Sequence, residues 1–189
     1  MTAFELFFSL FGLILGLAVA VVIGGLSDLL RERRRIPIGL LTPMLALFVL
    51  SDLSSLWVNT FEGMSDIQVA YGPFVAALVV AGAYFFAAGM IFPKTLSEWA
   101  SLDDYYVGHH RWVFGGVIAA NLGLLAMEAT AQRSLEPFLT MLNSPVPAVW
   151  WLTLVVLVIV PHRRVQLAGL SVLLLIALIV LVLAWSPQT

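Results

Sequence analysis

The chain predicts an all-α, polytopic integral membrane bundle of six transmembrane helices, with both termini on the non-cytoplasmic side. Two observations carry that prediction. Six apolar stretches take up most of the 189 residues, and eight of the nine Lys and Arg residues fall in alternate gaps between them. Composition agrees, with 61% of residues hydrophobic and 11% charged, against about a quarter charged in an ordinary soluble domain. Zero cysteines exclude disulfides, thiolate metal sites and thiol catalysis.

In chain order the spans are expected over 4–26, 36–58, 69–92, 112–131, 146–161 and 165–186. Most match a hydrocarbon core of about 30 Å at about 1.5 Å per residue. The first run is read as a retained span and not a signal peptide. Glu5 stands where a basic n-region would be, the run is longer than an h-region, and Arg31 to Arg35 follow it as a stop-transfer signal. The fifth run is short, so it must stand upright, thin the bilayer, or be extended through Pro145 and Pro147.

Orientation follows from the basic residues. Arg31, Arg33, Arg34 and Arg35 occupy the first gap, Lys94 and Arg111 the third, and Arg163 and Arg164 the fifth, while Arg133 alone occupies the second or fourth. The positive-inside rule makes the odd gaps cytoplasmic. In a bacterium this places the protein in the inner, or plasma, membrane. The six tryptophans fit the same frame: Trp57, Trp150, Trp151 and Trp185 fall at outer ends of spans, Trp99 and Trp112 at inner ends, as indole rings at the headgroup layer would.

Two short interfacial helices are expected in loops 3 and 4. Thr95-Leu-Ser-Glu98 is a capping-box pattern after Pro93, and Leu96, Trp99 and Leu102 follow at helical spacing. Leu135, Phe138, Leu139 and Leu142 repeat at i, i+3, i+4 and i+7. No gap admits a folded soluble domain, so residues 1–189 form a single six-helix transmembrane domain. Gly12, Gly16, Ala20 and Gly24 on the first span, and Gly115, Ala119 and Gly123 on the fourth, form small-residue stripes expected at helix contacts. Their likeness on oppositely directed spans also makes an inverted three-plus-three repeat conceivable.

Asp52 is the most informative residue, because an unpaired charge within a span costs several kcal/mol. It falls inside the second span, about 9 Å from its outer end. Ser55 and Asn59 follow at i+3 and i+7 and extend a polar strip outwards. Asn121 and Glu128 share a face of the fourth span, and Glu5 shares the face of Gly12 and Gly16. These six residues are the expected ion or ligand path, with Arg133 the nearest cation in sequence. Arg31, Arg33, Arg34 and Arg35 are expected at lipid headgroups, and Asp103 and Asp104 are candidates to pair with them across the inner ends. His109, His110 and His162 are the only histidines. They are metal or haem candidates only if they converge from different helices, so no metal and no cofactor is assigned.

The expected function is translocation or binding of a proton, a cation or a small solute at an intramembrane carboxylate open to the outer side, as in a channel or transporter. Two alternatives stand beside it: an accessory or scaffold subunit of a membrane complex, and a membrane enzyme or haem carrier. No phosphate loop, nucleophile elbow, HExxH or basic aromatic groove is present. Expected partners are membrane lipids and either a homo-oligomer or a larger membrane complex, with no nucleic acid.

Overall fold

The computed structural model describes residues 3–32, 37–63, 71–95 and 98–185. The described chain is all-helical, without strands. Its helices are α1 (Ala3–Glu32), α2 (Leu41–Gly63), α3 (Tyr71–Gly89), α4 (Leu102–Gln132), α5 (Glu136–Asn143), α6 (Pro145–Ile159) and α7 (Arg163–Trp185). Five of them, α1, α2, α3, α4 and α7, are long and apolar enough to cross a membrane. At 15 residues α6 is not, since it reaches only about 22 Å of a core of about 30 Å. It completes a crossing only together with α5, from which it is bent by 85°.

The long helices pack in two rows. One holds α1, α2 and α7, and the other α3, α4 and α6; α1 faces α3, α2 faces α4, and α7 faces α6. With neighbours on both sides and in front, α2 is half buried, whereas α7 buries only Gln166, Leu170 and Leu173. Phe48 of α2 sits at the centre, 6.1 Å from the Phe114 ring of α4 and 6.4 Å from the Trp150 ring of α6. Around it Leu15, Val49, Tyr84, Val117 and Leu157 are fully or almost fully enclosed.

Lipid supplies no hydrophobic drive between helices, so close approach depends on small residues. A side chain at Gly116 would meet Ala83 O and Ala87 of α3, and one at Gly123 would meet Val80. Thus α4 seats on α3 as its stripe suggests, although the contact runs through Gly116 and not Gly115, which faces open space. The α1 stripe behaves differently. Gly12 lies against Trp57, but Gly16 and Gly24 face nothing and Ala20 is exposed. The buried face of α1 is Phe11, Leu15, Ala18, Val22 and Leu29, whose bulk fills the space before α2 and α3.

A helix stands in loop 4 where one is expected, while loop 3 is built differently among its described residues, Leu96 and Ser97 lying outside them. The loop-4 helix is α5, eight residues with no buried side chain and with Leu135, Leu139 and Leu142 exposed. No α-helix occupies the described part of loop 3. Instead, α4 starts ten residues before the expected span, where Ser101 caps it by accepting from Asp104 N at 3.2 Å. Trp99 folds back on this extension, edge-on to Tyr105 at 5.1 Å and to His109 at 5.6 Å. These ring contacts hold Trp99 against α4.

Candidate functional site

Asp52 is the middle residue of α2, roughly 16 Å from either end of the helix. The helix runs on past the expected end of the span, to Gly63. Asp52 Oδ2 accepts a hydrogen bond from the Tyr84 hydroxyl of α3 and another from Asn121 Nδ2 of α4 at 3.2 Å. Asn121 Nδ2 also donates to the Tyr84 hydroxyl oxygen at 2.7 Å and to Val117 O at 3.0 Å. Three helices therefore meet at one carboxylate oxygen. Among the described residues Oδ1 has no hydrogen-bond partner, and no cation approaches the carboxylate.

Of the six expected path residues, the structure brings together Asp52 and Asn121. Tyr84 of α3, which is not among the expected path residues, completes the group. Ser55 and Asn59 lie on an exposed flank of α2, and the Ser55 hydroxyl is turned to Ser51 O at 3.2 Å. The buried face beyond Asp52 continues instead through Leu56 and Thr60. Glu128 is half-buried and lines a different cleft of about 370 Å³ with Gln132, Glu136 and Trp151. Glu5 is exposed in the first turn of α1, its carbonyl accepting from Ser9 at 2.6 Å. Asp52 lines neither this cleft nor the groove of about 950 Å³ between α3 and α4.

A second polar cluster closes the end of the bundle that carries Arg163. Asp103 accepts from Leu41 N at 3.3 Å, capping α2 from another helix, and pairs with Arg163 at the start of α7. Gly39 makes room for it with φ 66°, where any Cβ would strike the carboxylate. Beside it Thr42 Oγ1 donates to Leu102 O at 3.2 Å, and the Tyr106 hydroxyl donates to Gln166 Oε1 at 2.5 Å. Gln166 Nε2 then satisfies Leu157 O and Val160 O, where α6 ends. Asp103 thus ties the starts of α2 and α7 together through Arg163. Arg31 pairs with Asp28 at 3.7 Å, both exposed, and Arg33, Arg34 and Arg35 lie outside the described residues.

The histidines do not converge. His109 Nδ1 bonds Tyr105 O at 3.0 Å and stacks on the Tyr105 ring, His110 Nδ1 bonds Val107 O at 2.8 Å, and His162 is exposed in the turn before α7. Among the described residues no three His, Cys, Asp or Glu side chains gather as metal ligands would. Arg133 also stands apart from the carboxylates, making no ion pair among the described residues. Comparison with family models, curated proteins and solved structures finds no match to this chain.

Proposed function

We propose that the chain is a six-span protein of a bacterial plasma membrane that takes up and releases a proton at Asp52. In this reading α5 and α6 together complete the fifth crossing, the end carrying Arg31, Lys94, Arg111, Arg163 and Arg164 is cytoplasmic, and both termini face outwards. The observation that carries the proposal is a carboxylate in the middle of α2, held by one oxygen between Tyr84 and Asn121, with no partner on the other oxygen and no cation near among the described residues. Ionisable groups so placed are costly and usually mark proton or ion paths. The chemistry around Asp52 narrows the ligand. A metal cation needs several oxygen acceptors, but Tyr84 and Asn121 present donors to the carboxylate, and a solute needs volume that the group does not border. A proton needs only Oδ1.

A second reading, an accessory or scaffold subunit, is favoured by the same group's burial and its separation from both clefts. Three helices pinned at one oxygen give rigidity whether or not a proton moves. The two readings part in proteoliposomes under an imposed pH gradient. Proton uptake by the intact protein above that of empty vesicles, lost in Asp52→Asn, supports the transport reading; equal rates in both proteins remove Asp52 from it. Uptake no faster than in empty vesicles leaves the accessory reading.

A further inference from the structure

We infer that the groove between α3 and α4 binds an anionic phospholipid of the leaflet beside Arg133, an acyl chain lying along its walls and the phosphate meeting that guanidinium. The groove holds about 950 Å³. It runs from Arg133 to Ala119 along α4, about 21 Å at 1.5 Å per residue, which is the depth of a chain descending from the headgroup layer to mid-bilayer. Its walls are small and apolar: Ala76, Ala83, Ala119, Gly123 and Ala126 carry nothing that could reach across. The furrow is a consequence of the packing, since α3 and α4 touch along Gly116 and Gly123 while much of the flank beside that contact is alanine. Thr130 adds no free polar group, because its hydroxyl donates to Ala126 O at 2.7 Å.

The polar character is concentrated at the mouth. Arg133 caps α4 in the left-handed region, φ 49° and ψ 38°, with its N–H directed to Ala129 O and Thr130 O. The backbone that carries the guanidinium is thereby fixed at the groove's end. Glu128 and Glu136, the acids closest in sequence, line the other cleft, on a different flank of α4. The planar fork of Arg matches phosphate oxygens in pairs, and a phospholipid brings a phosphate to this depth together with the hydrocarbon that the walls require. A second copy of the chain would need to supply both an apolar helix and a carboxylate at the same height.

Native mass spectrometry of the detergent-purified full chain tests the inference, with phosphatidylglycerol and phosphatidylcholine as probes. Arg133→Asn removes the charge but keeps a residue that accepts the left-handed cap; Ala126→Phe fills the groove from an exposed position, and Ala119→Phe, also exposed, replaces it should that variant not fold. Expected are retention of phosphatidylglycerol by the unmodified chain, a loss of about tenfold in Arg133→Asn with phosphatidylcholine little changed, and loss of both lipids on filling the groove. Arg164→Gln, at the other end, should bind as the unmodified chain does. Undiminished phosphatidylglycerol binding in Arg133→Asn or in the filled groove overturns the inference, and so does a dimer of the unmodified chain that the filled groove dissolves.

Discussion

At the scale of single residues, the Tyr84 hydroxyl is the joint of the buried group, donating to Asp52 and accepting from Asn121. Tyr84→Phe keeps the ring and its packing while removing both bonds. We expect it to destabilise the bundle by about 1–2 kcal/mol, seen as earlier unfolding in mixed micelles; an unchanged midpoint would show that the bonds are replaced. Asp52 and Asn121 were legible in the sequence because a charge and an amide inside apolar runs demand partners. Tyr84 was not, since a tyrosine in a span serves packing and bonding alike. Ser55 and Asn59 point elsewhere for a geometric reason. At about 100° per residue, positions i+3 and i+4 fall on opposite flanks of residue i, and only the neighbouring helices decide which flank is buried.

At the scale of elements, the glycines separate into those that hold helices together and those that do not. Gly116→Ala should drive α4 from α3, because its Cβ would come within 2.9 Å of Ala87 Cβ and 3.1 Å of Ala83 O; a loss of about 1–3 kcal/mol is expected. Gly16→Ala has nothing within 4 Å and should leave stability unchanged or raise it by about 0.5–1 kcal/mol through helix propensity. Thermal unfolding of the two variants in one detergent checks both. Spacing shows that a stripe exists without showing what it meets. A capping pattern does not fix a helix start either: Thr95-Leu-Ser-Glu98 has the pattern, yet α4 begins after Ser101, whose hydroxyl accepts from Asp104 N. The contacts of Tyr105 with Met90 O at 3.1 Å and Phe92 O at 3.3 Å anchor its first turns.

At the scale of the whole molecule, the absence of native cysteine allows single cysteines to report sidedness. Ser134→Cys and Arg164→Cys should react with a membrane-impermeant thiol reagent from opposite faces of oriented vesicles, Ser134→Cys from outside. Labelling of both from one face would remove the fifth crossing and the orientation with it. The inverted repeat finds no support in the packing: α1 lies along α3, but the corresponding α4 and α7 do not lie along one another, meeting at Asp103 with Arg163 and Tyr106 with Gln166. The sequence by itself determined that the chain is helical and apolar enough for a membrane, and that Asp52 needs company, because length, hydropathy and charge are properties of each segment alone. Only the tertiary structure decided which helices are neighbours, that Tyr84 and Asn121 are that company, and that Asp103 turns to Arg163. These depend on how side-chain volumes fit between helices distant in sequence, and periodicity along one helix does not encode the shape of another.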